Sequence, residues 1–287
     1  MSLTLVVGAT GTVGSAVVQE LAQRGERVRA LSSRKAPRAG TDRVEWAQAD
    51  LATGAGVDAA FAGVQRAFLL APPGYVPQHE LLLPLIRRAV EQGLDKVVLM
   101  TAMGANADPD APLRVAELEL ERSGLPYNIV RPNWFMQNFD HAWLPGILAT
   151  GKIQLPVGRA KTSFIDTRDI AAVVARLLTS HDLDKQDFDL TGPRALDHDE
   201  VAAILSRASG RTIRFEDIEP QALRQALLGA GLNADYAEFL LVILGFLAAG
   251  YSERTTDSVQ RLLGRAPIDF ERYAQDHREA WAKAATA

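Results

Sequence analysis

Residues 8–14 read GATGTVG, preceded by the apolar run LTLVV of residues 3–7 and followed by SAVVQELAQ, whose apolar positions recur at helical spacing. A short β-branched run, a glycine-rich turn and an amphipathic helix, in that order, open a βαβ unit. The glycines have separate tasks. Gly8 permits the tight turn, Gly11 lets backbone approach a pyrophosphate, and Gly14 lets the helix pack close on the strand. The helix start then offers N–H groups and a partial positive charge to phosphate oxygens. Thr10 and Thr12 add hydroxyls there, and Val13 carries the chain into the helix. The stretch reads as a dinucleotide-binding turn.

Outward from this turn the pattern repeats. Strands are expected over residues 27–31, 44–47, 66–70, 96–101 and 127–131, with helices over 13–23, 77–92 and 112–123. Such alternation gives an α/β fold of Rossmann type, a doubly wound parallel sheet with helices on both faces. Beyond Pro132 the periodicity predicts a helix over 134–148, a short strand near Ile153, a helix over 167–178 and a seventh strand over 188–191. Helices over 197–209, 220–228, 234–249 and 257–263 follow. The division expected is a dinucleotide-binding domain, 1–132, and a smaller, mostly α cap region, 133–287, that shares some strands with the sheet. The run FLLVILGFLAAG, residues 239–250, is shorter than the roughly 20 residues a membrane span requires and reads as a buried helix. Core or a subunit contact is its first assignment, the wall of an apolar substrate pocket its second.

The 287 residues are 47% hydrophobic with a net charge of -4 and interspersed signs, so a large core is available and no basic field draws nucleic acid. There is no cysteine, which excludes disulfides, thiolate metal sites and a cysteine nucleophile. His79, His141, His181, His198 and His277 stand at no metal-ligand spacing, so no metal is expected. The N-terminus has no basic segment leading into a long apolar core, and a cytoplasmic protein without a membrane segment is expected. A homo-oligomer is compatible with all of this.

Sites that prefer NAD place a carboxylate at the end of the second strand, on the ribose hydroxyls. Here that place reads Ser32, Ser33, Arg34, Lys35, and two hydroxyls with two cations suit the 2′-phosphate of NADP(H). A solvated basic loop is the alternative. Asp50 and Leu51, after the third strand, stand where a carboxylate and an amide meet the adenine edge. Leu70, Ala71 and Pro72 close the fourth strand, and Thr101, Ala102 and Met103 end the fifth, where the nicotinamide half belongs because ligands lie beyond the strands' carboxyl ends.

Further segments carry a resemblance. VVLMTAMGAN at 97–106, SGLPYNIVRPNWFMQNF at 123–139, SFIDTRDIA at 163–171, LTGP at 190–193 and SGR at 209–211, with the opening GATGTVG, resemble the NmrA-like branch of the atypical short-chain dehydrogenase/reductases over nearly the whole chain. That branch includes quinone, triphenylmethane-dye and azo reductases and redox-sensing regulators. The resemblance implies that Pro132 and Asn133 complete the nicotinamide face and that Trp134, Phe135, Asn138 and Phe139 line the substrate side, with His141 beside them. Anchoring of the next helix is the competing role for the aromatic residues. Relatives often carry a histidine one turn before the residue matching Glu117 and a lysine just after it, where this chain has Leu113 and Leu118.

Better-known short-chain reductases use a tyrosine with a lysine four positions on, which lowers the phenol's pKa for proton donation. Here the fourth residues after Tyr75, Tyr127, Tyr236, Tyr251 and Tyr273 are His79, Arg131, Leu240, Thr255 and His277. No catalytic acid is thereby assigned. The expectation is an NADPH-dependent oxidoreductase passing hydride to a small apolar acceptor, such as a quinone, an imine or iminium ion, an azo compound or a carbonyl. The other class is an NADP(H)-binding redox sensor without turnover.

Overall fold

The computed structural model describes residues 2–34 and 40–282. Its strands are β1 (Leu3–Val6), β2 (Arg27–Ser32), β3 (Val44–Gln48), β4 (Arg66–Leu69), β5 (Lys96–Met100), β6 (Tyr127–Pro132), β7 (Lys152–Leu155), β8 (Gln186–Leu190) and β9 (Arg214–Asp217). The helices are α1 (Thr12–Gln23), α2 (Val57–Phe61), α3 (Gln78–Glu91), α4 (Pro112–Arg122), α5 (Leu144–Thr150) and α6 (Thr167–Leu178). They continue with α7 (His198–Ser209), α8 (Pro220–Gly229), α9 (Ala234–Ala248), α10 (Ser258–Leu263), α11 (Phe270–Asp276) and α12 (Glu279–Ala282). Two compact units result: residues 1–132 with 167–190, and residues 133–166 with 191–287. Residues 167–190, beyond the expected division at 132, thus return to the first unit.

The first unit is a seven-stranded sheet in the order β3-β2-β1-β4-β5-β6-β8, parallel at every pairing. All four residues of β1 are buried, as expected of a strand covered on both faces. Successive side chains alternate between faces: Leu3, Leu5 and Val7 join the core that Phe61, Leu82, Leu85, Ile86, Ala116 and Leu120 of α2, α3 and α4 complete. On the opposite face α1 packs against α6, through buried Val13, Val17, Val18 and Leu21 of α1 and a nearly continuous buried run along α6.

In the second unit β7 and β9 pair in parallel beside helices gathered on an aromatic core. Phe139 meets Phe164 and Phe270 edge-on at centroid distances of 5.3 and 5.5 Å, and Trp281 Nε1 donates to the Phe139 carbonyl at 2.9 Å. Helix α7 starts on a reciprocal capping box between Asp197 and Glu200, which satisfies two otherwise orphaned backbone donors.

Two expectations need correction. The helix expected over 134–148 is replaced by an extended segment, a 3-10 turn at Met136–Phe139 and the short α5. The backbone is diverted because Trp134 and Met136 bond to Ile165, whose N–H donates to Trp134 O and whose carbonyl accepts from Met136 N, both at 2.9 Å. Helix restarts only at Leu144, with Pro145 in its first turn, where its missing N–H costs nothing. Second, α9 is not a buried helix. Only Ala237, Leu244 and Leu247 are buried in it, while Val242 and Phe246 are 55% and 56% exposed. Its apolar residues run all round the helix, so one face stays outside the core. Among the described residues no helix is long and apolar enough to cross a membrane.

Candidate functional site

Because every strand of the large sheet runs the same way, the segments after β1, β2, β3, β4, β5 and β6 all emerge at one edge. The order reverses at β1, which lies between β2 and β4, and such a switch point is where an open α/β sheet receives a ligand. The GATGTVG turn stands there. Gly8 has φ +67°, a conformation side-chain-bearing residues rarely adopt, and a Cβ on it would come within 2.8 Å of Leu70 Cδ1. A Cβ on Gly14 would lie 2.1 Å from the Gly8 carbonyl oxygen, so the helix start is pressed against the turn. No side chain caps α1 and no acidic residue stands in its first turn, leaving the helix start open to an anion. Thr10 and Gly11 are exposed, Thr12 half-buried and Val13 buried. A glycine turn packed this closely on an uncapped helix start is what a dinucleotide pyrophosphate requires, and these residues fit one.

At the end of β2, Ser32 is buried and its hydroxyl accepts from the Arg34 N–H at 3.1 Å. Ser33 and Arg34 are exposed, and the Ser33 carbonyl accepts from Gln48 Nε2 at 3.3 Å. The Arg34 side chain has no ion pair among the described residues; Lys35 lies outside them. After β3, Asp50 is exposed and its Oδ1 accepts from the N–H groups of Ala52 and Thr53 at 2.9 and 3.4 Å, an Asx-type turn beside half-buried Leu51. Leu70 is buried under the turn, with Ala71 and Pro72 half-buried.

After β5, Thr101 is buried while Ala102 and Met103 are half-buried. The N–H groups of Thr101 and Met103 donate to the carbonyls of Val130 and Pro132, both at 3.0 Å, so this turn is laced to the end of β6. Beneath it lies a feature that periodicity does not disclose. Glu117 of α4 is fully buried, and its Oε1 accepts from Thr101 Oγ1 at 2.6 Å and Arg131 Nε at 2.8 Å. Its Oε2 accepts from Arg131 Nη2 and Arg114 Nη1, each at 2.8 Å. Burial alone would raise this carboxyl's pKa, but the bonds from Arg131, Thr101 and Arg114 hold it below the usual range. Arg131, itself buried, also pairs with Asp187 at 2.8 Å. The sequence signal was an arginine inside the apolar strand YNIVRP together with a glutamate on the inward face of α4, beside Ala116 and Leu120.

In the second unit, Asn133 is buried and fully engaged: Nδ2 donates to Ser163 Oγ and the Ser252 carbonyl, both at 2.8 Å, and Oδ1 accepts from Trp134 N at 2.9 Å. Its amide therefore staples the segment after α9. Trp134, Phe135 and Asn138 are half-buried. Phe139 is fully buried in the aromatic core. His141 is exposed, on the carboxylate of Asp140, which also pairs with His277 Nδ1 at 2.8 Å. Asp166 is buried and accepts from Gln137 Nε2 at 3.0 Å; Asp169, in the first unit, is buried in the first turn of α6.

A cavity of about 340 Å³ among Glu121, Tyr127, Ile129, Lys185, Gln186 and Asp187 opens at the amino-terminal ends of β6 and β8, the edge opposite the glycine turn. Its size does not make it the reaction site, because the phosphate cradle and the switch point stand at the other edge. Among the described residues no group of three or more histidines and carboxylates is placed to hold a metal ion.

Comparison with known proteins agrees with this geometry. The chain is 33% identical to an NAD(P)H azoreductase of Xenophilus azovorans, over 98% of this chain and 100% of the relative. A triphenylmethane reductase of Citrobacter sp., solved with NADP(H), superposes with a TM-score of 0.82 at 22% identity, covering 96% of this chain and 100% of that one. The NADPH-dependent quinone oxidoreductase of Escherichia coli, solved with NADPH, gives 0.80 at 21% identity, covering 96% and 99%. These two structures establish a shared fold. The model of the NmrA-like family matches residues 1–274, and the chain belongs to that family.

Proposed function

We propose that the protein is an NADPH-dependent reductase whose acceptor is a small apolar compound: an azo compound, a quinone, an imine or iminium ion, or a carbonyl. The observation that carries this reading is the carboxyl edge of the first unit, where a turn with no room for a Cβ at Gly14 lies next to a β2 end that offers Ser33 and Arg34 and no carboxylate. Likeness over the whole chain to an NAD(P)H azoreductase supports the acceptor class.

When bound, NADPH supplies a hydride. The chain's residues hold and orient it. The turn of residues 8–14 and the N–H groups opening α1 take the pyrophosphate, while Ser33 and Arg34, with Lys35, take the 2′-phosphate. Asp50 and Leu51 flank the adenine. Leu70, Ala71 and Pro72 with Thr101, Ala102, Met103 and Pro132 border the nicotinamide half; Asn133, next in the chain, spends its amide on Ser163 and Ser252. Trp134, Phe135 and Asn138, next along the chain, serve the acceptor side; Phe139 supports them from the core. With no tyrosine four residues ahead of a lysine, protonation of the acceptor is left to solvent or a weak donor, and holding the reactants in register contributes most of the acceleration.

The test is NADPH oxidation by the purified protein, followed at the reduced nicotinamide's absorbance with azo dyes, quinones and triphenylmethane dyes. Acceptor-dependent oxidation that is slower with NADH is expected. Tight NADPH binding without oxidation by any acceptor would overturn the reductase reading in favour of a redox sensor.

A further inference from the structure

Glu117 occupies a position on the inward face of α4 that an apolar residue would fill more simply, with Ala116 and Leu120 as neighbours in the core. Burying a carboxylate and a guanidinium is costly, and well-packed apolar residues commonly stabilise a fold as well or better. Stability alone is a poor reason for this arrangement. What the carboxylate does locally is specific. It accepts the Thr101 hydroxyl hydrogen and two bonds from Arg131, so a single group ties the end of β5, α4 and the end of β6 together. Arg114 closes it from the far side, held in turn by Glu121 at 2.6 Å. A hydroxyl bonded to a carboxylate cannot rotate to donate elsewhere. The side chain of Thr101 is thereby fixed, and so is the 101–103 turn, whose N–H groups are already bonded to β6.

We propose that Glu117 is a positioning residue: through Thr101 and Arg131 it sets the turn after β5 against which the nicotinamide half of the cofactor is held. This rests on the NADP(H) reading of the carboxyl edge. Glu117 touches neither cofactor nor acceptor. Its influence ends at the β5–β6 side of the edge, and the β2 side, where Ser33 and Arg34 stand, is outside its reach.

That asymmetry supplies the test. NADPH and adenosine 2′,5′-bisphosphate, which carries the adenine and 2′-phosphate but no nicotinamide, are titrated calorimetrically against wild type, Glu117→Gln, Thr101→Val and Thr101→Ser. Thr101→Val keeps every ion pair and the side-chain shape, so it decides the matter if Glu117→Gln fails to fold. NADPH affinity should fall about tenfold in Glu117→Gln and Thr101→Val, the size of one charge-assisted hydrogen bond. The bisphosphate should bind all variants alike, and Thr101→Ser should restore NADPH affinity. Equal weakening of both ligands, or of neither, overturns the positioning role. Failure of wild type to bind the bisphosphate would instead overturn the NADP(H) reading on which the role rests.

Discussion

In the first unit the buried carboxylate of Glu117 has both oxygens bonded, to Thr101, Arg131 and Arg114. In the second, buried His198 sits among Phe139, Phe164 and Phe215 with ring centroids 5.3–6.1 Å away, and its Nδ1 has no hydrogen-bond partner among the described residues. One region keeps a charge and satisfies it; the other keeps a titratable ring and leaves it neutral. The Glu117 charge survives burial because Thr101, Arg131 and Arg114 all donate to it, whereas desolvation pushes the His198 pKa down to about 4 against an opposing effect of Asp197. The units should therefore answer differently to truncation and to acid.

The largest effect belongs to the satisfied charge. Glu117→Ala takes the bidentate partner from buried Arg131 and leaves it Asp187 at 2.8 Å and Asp189 at 3.8 Å, and urea unfolding should show a loss of about 3 kcal/mol at neutral pH, the lower end of what breaking a buried pair from one side costs. A loss below about 1 kcal/mol would mean that water reaches this network, as at an exposed pair.

His198 comes next, and its sign is opposite to the common case. The folded value lies below the ordinary 6.5, so between these values the unfolded chain binds a proton that the folded chain refuses. Stability is then lost as pH falls from 6.5 towards 4, by roughly 2–3 kcal/mol at the acid end. Glu117, lowered from its ordinary 4.5, contributes stability that goes only as pH falls below that figure, so the two windows separate. His198→Phe should flatten the upper window and leave neutral stability little changed. An unchanged slope would show that other groups set it.

A smaller effect is expected from Arg34. Arg34→Ala should weaken NADPH by about tenfold, as for one charge-assisted contact to phosphate, and leave NADH unchanged. Equal losses for both would detach Arg34 from the 2′-phosphate. The smallest belongs to an exposed pair, Lys152 with Glu216 at 3.0 Å: Lys152→Ala should change stability by no more than about 0.5 kcal/mol, and a larger loss would show that the β7–β9 pair depends on it.

The same contrast explains what was legible in the sequence. The strand-turn-helix at the start, the parallel alternation up to Pro132 and the helix at Thr167–Leu178 were all readable, because periodic apolar positions and a glycine turn are local signals. In the second unit the local signal misleads. Residues 134–148 have helical composition, yet long-range bonds to Ile165 pull their beginning into an extended path. The strand β9 reads RFED, which carries no strand signal of its own, since its pairing rests on long-range partners such as Lys152 and Gln154 on Glu216. The α11 and α12 helices, with Tyr273 and Trp281 in the aromatic core, are 7 and 4 residues long, too short for helical periodicity to mark them. Of the site, the glycine turn and the basic end of β2 were visible in chain order. The Glu117 network was not, because Thr101 and Arg131 stand 16 and 14 residues from Glu117 on other elements and meet it only when α4 packs on the sheet.

The most direct test of the account is a single turnover. Stoichiometric NADPH is mixed with an azo compound and either wild type or Gly14→Val, whose Cβ would stand 2.1 Å from the Gly8 carbonyl oxygen. The account predicts that wild type consumes the reduced nicotinamide only when the acceptor is present and that Gly14→Val, compared at a temperature where its circular dichroism matches that of wild type, does not. Undiminished oxidation by Gly14→Val would contradict it, since the cofactor would then lie somewhere other than the glycine turn.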